Sequence, residues 1–194
     1  MGEDSTREIY RHLRELADQF EPPAGMSPRF EIADGQVIMM MSPAKRHDLN
    51  ALRIARQLQP QLPEELVASP IGDVENPAVG SLRRPDVMVV PEAAFLEGAE
   101  DEGLDPREIL LAVEVVSRSN PENDYSAKTR DYPRMGIEHY LIVDPRDGTC
   151  LYQWDITTHD GRPAYRNRLA SAFGEKISVR DWVIDTGKLW RYTA

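Results

Sequence analysis

Two acidic residues interrupt stretches of chain that otherwise read as buried strand, and a lysine follows on the apolar side of a helix. Asp86 opens the run Arg84-Pro85-Asp86-Val87-Met88-Val89-Val90, and Glu114 falls inside Ile109-Leu110-Leu111-Ala112-Val113-Glu114-Val115-Val116, a segment apolar enough to be covered on both faces. A lone buried carboxylate costs several kcal/mol or stays protonated. A divalent cation shared by the two acids removes that cost, and hard oxygen donors are what magnesium selects. Glu114 lies 28 positions after Asp86, which is room for a strand, an exposed loop and a return strand that sets both acids on neighbouring rungs.

Asn120-Pro121 marks a helix start, with Asn as N-cap and Pro at the first helical position. From there Tyr125, Lys128, Tyr132 and Met135 recur at steps of three and four and share one face. Lys128 therefore points where the apolar residues point. A lysine aimed at a carboxylate pair is what metal-assisted hydrolysis uses to orient or deprotonate a water.

The same residues admit plainer readings. Asp86 could accept backbone N–H groups at a strand start, and Glu114 with Lys128 could form a buried ion pair that needs no metal. Lys128 could instead turn outward to Asp124, its i,i+4 neighbour. Tyr125 and Tyr132 suit packing, and Asp144 before Pro145 suits a strand-ending turn. Competing chemistries find no support: Ser117 and Ser119 lack a nucleophile-elbow glycine pattern, Cys150 has no cysteine partner for zinc, no glycine-rich phosphate loop occurs, and His12, His47, His139 and His159 are scattered.

At these positions the chain resembles the Uma2 (DUF820) family, within the PD-(D/E)XK restriction-endonuclease-like superfamily. The resemblance runs from about Arg29 to Trp154. It rests on Phe30-Glu31-Ile32-Ala33-Asp34-Gly35, His47, Arg84-Pro85-Asp86, Glu114-Val115-Val116-Ser117, Asp124, Lys128, Tyr132, Gly136 and Glu138-His139-Tyr140-Leu141-Ile142-Val143-Asp144-Pro145, in that order and spacing. One departure from the superfamily matters: Val116 stands where D/E-X-K puts lysine, and the resemblance implies that the lysine has moved to the following helix as Lys128. It further implies an α/β fold with a restriction-endonuclease-like core, a mixed central sheet flanked by helices. The implied activity is magnesium-dependent hydrolysis of phosphodiester bonds in DNA, with manganese able to substitute. Asp86 and Glu114 would hold the ion, Glu31 would help position metal or water, and Lys128 would orient the nucleophile and stabilise the phosphorane charge. His47, Asp124 and Tyr132 are auxiliary candidates. Glu31 remains open to a second reading, as a solvent-facing residue of an alternating hairpin, and His47 to one as a satisfied helix-start histidine. The rival class is a catalytically inactive binding or regulatory module on the same fold.

Charge argues against a nuclease at first sight. The net charge is −10, whereas most nucleic-acid binders show a basic face. Much of the excess, however, sits in one segment, Glu92, Glu97, Glu100, Asp101, Glu102, Asp105 and Glu108, which reads as an exposed loop between the two acid-bearing strands. Arg83, Arg84, Arg118, Arg130 and Arg134 lie close to the proposed site in sequence and are expected to contact phosphates. The expected partner is nucleic acid, DNA first, with no membrane and with a homodimer admissible. The single cysteine excludes an intramolecular disulfide, and the acidic start Met1-Gly2-Glu3-Asp4 lacks a signal-peptide pattern, which points to the cytoplasm.

The elements that must position these groups follow from periodicity. At 194 residues with 41% hydrophobic content the chain fits one domain: residues 1–28 as an N-terminal helix and linker, 29–155 as the nuclease-like core, 156–194 as C-terminal strands. Asp4 to Phe20 reads as an amphipathic helix with Ile9, Leu13, Leu16 and Phe20 as its stripe, and Phe30 to Met41 as a hairpin about Asp34-Gly35. Ser42-Pro43 begins a helix to about Gln59, with His47, Ala51, Ile54, Ala55 and Leu58 on one side. The helix carrying Lys128 should end at Pro133 and Gly136, with strands near Glu138 to Val143 and Cys150 to Trp154 after it. Thr157 to Ala164 reads as a turn, and Lys176 to Trp190 as a last strand or two.

Overall fold

A computed structural model describes residues 2–24, 28–40, 44–99 and 102–193. In chain order its elements are α1 (Glu3–Asp18), β1 (Arg29–Ala33), β2 (Gln36–Met40), α2 (Lys45–Leu58), β3 (Leu66–Ser69), β4 (Val74–Asn76), β5 (Ser81–Arg83), β6 (Val87–Pro91) and β7 (Leu111–Val115). A π-helical segment, Asn123–Lys128, then leads into α3 (Thr129–Met135), followed by β8 (His139–Asp144), β9 (Thr149–His159), β10 (Arg162–Ala172), β11 (Lys176–Val179) and β12 (Trp182–Asp185). Six strands form a mixed sheet in the order β10-β9-β8-β7-β6-β3, four form a second sheet in the order β2-β1-β5-β4, and β11-β12 is a separate hairpin. The fold is mixed α/β, with helices on both faces of the central sheet.

Strand alternation assigns each face. Val87 and Val89 of β6, Leu111, Val113 and Val115 of β7, and Leu141 and Val143 of β8 pack with Ala51, Ile54, Ala55 and Leu58 of α2. Met88, Val90, Ala112, Val116, Tyr140 and Ile142 pack on the opposite face with Tyr132 and Met135 of α3. By the same alternation Glu114 shares the face of Ala112 and Val116, the one that α3 covers. β6, β7 and β8 are neighbours, β6–β7 antiparallel and β7–β8 parallel, as the order of strand, helix and strand about Glu114 requires. Val87 pairs with Val113, so one further step of that register brings Asp86 level with Glu114.

Several expected boundaries move. α1 buries Tyr10 and Ala17, whereas Ile9, Leu16 and Phe20 are exposed; its inner stripe is Tyr10, Leu13 and Ala17, set against Ile32 and Leu82 of the four-stranded sheet. The hairpin turns at Asp34-Gly35, both with positive φ (51° and 72°), the conformation a two-residue turn needs. The expected helix start at Ser42-Pro43 lies outside the described residues; α2 itself buries the side named above. Pro133 sits inside α3 and does not end it; Gly136, at φ 93°, does. The supposed turn Thr157 to Ala164 is instead a continuous hairpin, β9 and β10 pairing from Thr149↔Ala172 out to His159↔Arg162. No helix among the described residues is long and apolar enough to cross a membrane.

Candidate active site

Where the acid-bearing ends of β6 and β7 meet α2 and the helix before α3, a cavity of about 490 Å³ is lined by Glu31, His47, Asp86, Glu114, Asp124 and Lys128. The buried centre is Lys128, 3% exposed. Its Nζ lies 2.8 Å from Glu114 Oε2, 3.3 Å from Glu31 Oε1 and 3.5 Å from Asp124 Oδ1. Lysine and aspartate are thus i,i+4 partners, but inside the protein and not on its surface. The local winding brings this about. Between Asn123 and Lys128 the helix widens to a π pitch, burying Asn123, Asp124 and Lys128 together, and the Asp124 carbonyl accepts the hydroxyls of Tyr140 (2.9 Å) and Thr129 (3.2 Å). Such bulges recur at functional sites because they redirect side chains without ending the helix.

Each carboxylate is held from a different element. The Tyr132 hydroxyl, one turn beyond Lys128, donates to Glu114 Oε1, so lysine and tyrosine take one oxygen each. Glu31, 1% exposed, receives Arg83 Nη1 at 2.7 Å and the Arg84 N–H at 3.3 Å. Burial supersedes its reading as a solvent-facing hairpin residue. Asp86 Oδ2 accepts the Val115 N–H at 2.7 Å and lies 3.1 Å from His47 Nε2, which makes His47 the residue that orients Asp86. His47 Nδ1 has no hydrogen-bond partner among the described residues.

Charge in the cluster does not balance. Glu31, Asp86, Glu114 and Asp124 surround one ammonium, while Arg83 divides its charge between Glu31 and Asp131. Burial pushes Glu114 well above the usual carboxylate range; Lys128 only partly offsets this, and Asp86, Asp124 and Glu31 add to it. Burial likewise raises Asp124, to about 6, against the pull of Lys128. For Glu31 burial is outweighed by Lys128 and Arg83, which hold it below its ordinary value. Burial alone would lower Lys128, but Glu114, Glu31, Asp124 and Asp86 together raise it, so it stays an ammonium. Protons or a cation must relieve the remaining carboxylate repulsion.

Among the described residues no group of three or more His, Cys, Asp or Glu side chains is arranged to hold a metal ion. A magnesium ion needs less from a protein: one or two carboxylates, with water and substrate phosphate completing the shell. Asp86 and Glu114, level on adjacent strands in a cavity with surplus carboxylate charge, fit that demand.

The sequence model of the Uma2 family, described as "Putative restriction endonuclease", matches residues 14–180. The chain belongs to the Uma2 family. A solved structure from Anabaena variabilis ATCC 29413, described as "a putative nuclease belonging to DUF820", aligns with a TM-score of 0.64 over 92% of this chain and 96% of that chain, at 14% identity, a likeness of fold. No curated protein matches the chain.

In this Uma2 chain Asp86, Glu114, Lys128, Glu31, His47, Asp124 and Tyr132 come together, whereas the arginines expected to touch phosphate part company. Arg83 is 0% exposed, clamped by Glu31 and Asp131; it braces the site from within and cannot be a surface contact. Arg84 lines the cavity but is paired through Nε and Nη2 with Asp73. Arg130 is held by Asp34 (2.5 Å) and Asp131 (3.0 Å), and Arg134 lies 3.6 Å from Asp131. Arg118 lines the cavity and meets no described carboxylate. Sequence reasoning missed Asn123, Asp131 and Tyr192. Asp131 carried a signal, three residues after Lys128 and so on the same side of the helix; Tyr192, which reaches the cavity wall from the chain's last residues, carried none.

Proposed function

We propose that this Uma2 protein is a metal-dependent endonuclease of the PD-(D/E)XK type that hydrolyses phosphodiester bonds in DNA in the cytoplasm. The observation that carries the reading is the lysine delivered from a helix to a strand carboxylate, Lys128 Nζ to Glu114 Oε2 at 2.8 Å, beside a second strand carboxylate in a cavity open to substrate. Val116 supports it from the other side: it is fully buried in the apolar cluster under α3, so the superfamily's usual lysine position has been given to packing.

Asp86 and Glu114 would hold a magnesium ion, which supplies charge to the phosphoryl oxygens and a water acidic enough to attack at neutral pH. Lys128, fixed as an ammonium, cannot serve as the base. It donates hydrogen bonds, holding the attacking water in line and facing the negative charge that develops on phosphorus. Glu31 and Asp124 aim that ammonium, Tyr132 fixes the second oxygen of Glu114, Arg83 braces Glu31, and His47 orients Asp86. A non-catalytic module draws on one contrary observation, that both Glu114 oxygens already have partners, Tyr132 and Lys128. Plasmid nicking separates the two. Supercoiled plasmid should be nicked with magnesium or manganese and not with a chelator, and Asp86→Ala purified in parallel should be inert. Equal nicking by both proteins would place the activity elsewhere.

A further inference from the structure

Near the acids, Arg83 and Arg84 are neutralised by the protein's own carboxylates; a second set of arginines is not. Arg46, Arg53, Arg118 and Arg191 form no ion pair with a described carboxylate, and each belongs to or touches residues 188–193. Beyond a 3-10 turn at Thr186–Lys188 the chain runs along the outside of α2. Asn50 fixes it there, its Nδ2 donating to the Trp190 carbonyl and its Oδ1 accepting the Trp190 N–H, both at 2.8 Å. Arg46 donates to the Arg191 carbonyl at 3.0 Å, and Arg53 to that of Lys188. The Arg53 guanidinium also lies over the Trp190 ring, 5.4 Å from its centroid. Arg191 rests against the turn at Gly148, occupying the space a Cβ would need.

At its far end this last stretch of chain reaches the acid cavity. Tyr192 donates its N–H to Pro145 and its hydroxyl to the Val116 carbonyl, both at 2.9 Å, just past the strand that bears Glu114. Arg118 covers the Tyr192 ring at 5.3 Å, and both residues line the cavity. In a chain of net charge −10, a set of unneutralised guanidinium groups beside the acids offers a polyanion local attraction. Two aromatic rings lie among those cations, Trp190 being 49% exposed. Rings interleaved with cations suit unpaired bases, whose faces are free to stack, better than a duplex, whose bases are enclosed. Arg46 to Arg53 alone span about 10 Å of helix axis, enough for a few nucleotides.

On the reading of the site as a nuclease, we infer that the ridge formed by α2 and residues 188–193 binds a single-stranded segment of nucleic acid next to the scissile phosphate. The test is fluorescence anisotropy in a chelating buffer. Its probes are a labelled oligothymidylate of about 20 nucleotides, longer than most single-strand binding sites, and a blunt duplex of equal length. Wild type should bind the single strand at least about tenfold more tightly than the duplex. Arg46→Ala/Arg53→Ala should weaken that binding at least about tenfold and flatten its salt slope by about 1.4, the loss of two phosphate contacts on a single strand. Trp190→Ala should weaken it by about tenfold, the loss of one stacking contact. Because Arg46 and Arg53 also anchor the tail, Arg191→Glu provides a second variant that leaves those anchors in place, and it should weaken binding by as much. Arg162→Ala/Arg168→Ala, on the exposed edge strand β10, should bind as wild type does. Variants that bind like wild type while plasmid nicking persists would overturn the ridge and leave the nuclease reading standing. Preference for the duplex would overturn the single-strand assignment. Neither binding nor nicking by wild type would remove both the nuclease reading and the ridge.

Discussion

Lys128 decides whether the site is chemistry or scaffold. Three carboxylates lie within 3.5 Å of its Nζ and almost none of it is exposed, so a scaffold role and a catalytic role both predict damage when it is lost. What separates them is where the damage appears. Lys128→Met keeps the stem and deletes the charge; the freed carboxylates can then take up protons or a cation. We expect nicking to fall about a hundredfold or more, roughly 3 kcal/mol of transition-state stabilisation, while the rise in melting temperature caused by magnesium persists or grows. Unchanged nicking would leave the lysine as a purely structural partner of Glu114 and Asp124. Asp86, Glu114 and Lys128 were legible in sequence because a charge in an apolar run is costly and therefore conspicuous. Arg83 was not, because its burial depends on Glu31 and Asp131, which approach from 52 and 48 positions away, and nothing local distinguishes it from Arg84, which stays half-buried.

Elements were legible in proportion to how fully they are buried. β6, β7 and β8 bury nearly every residue and stood out as apolar runs. β10 shows a mostly exposed pattern as an edge strand, so its start, Arg162-Pro163-Ala164, read as turn; Pro and charge are what edge strands carry to prevent further pairing. α1 misled for a related reason: Ile9 and Leu16 lie outward, and Tyr10 faces inward with its hydroxyl on Glu75. The β8–β9 pair carries a pH dependence of its own. His139 Nδ1 is 2.6 Å from the Tyr152 hydroxyl, and the two rings stack. Burial, reinforced by Arg180, pushes His139 down to about 4. A histidine whose folded pKa lies below its unfolded value of about 6.5 favours the neutral form in the fold. Its contribution is present above that unfolded value and is lost as pH falls towards 4. Glu114 and Asp124, raised in the fold, act in the opposite sense, so the total change does not isolate His139. Urea midpoints at pH about 7 and about 5, below the unfolded value, should therefore drop less in His139→Gln than in wild type, and an equal drop would show that the imidazole carries no linkage.

At the scale of the whole molecule, the nuclease reading proposed above poses the question of how an acidic chain would handle a polyanion. Glu92, Glu97 and Glu102 are exposed in the segment between β6 and β7, whose Ala94 and Leu104 pack on the sheet face opposite α2, so part of the acidic excess is carried apart from the α2 ridge. The interior repeats the imbalance. Four carboxylates around one ammonium leave the folded state with repulsion that the unfolded chain, with those groups far apart in water, does not have. A divalent cation that binds only the folded arrangement relieves this repulsion and must stabilise the protein by mass action. At about ten times its dissociation constant that contribution is about 1.4 kcal/mol, or a rise of about 3–6 °C in melting temperature for a chain of this size. Magnesium or manganese should produce that rise in wild type, an equal ionic strength of potassium chloride should not, and Asp86→Ala should lose most of it because one of the two strand carboxylates is gone. A rise of the same size in Asp86→Ala would mean that the cation sits elsewhere. No rise in wild type would mean that protons alone, on Glu114 and Asp124, settle the charge of the cluster.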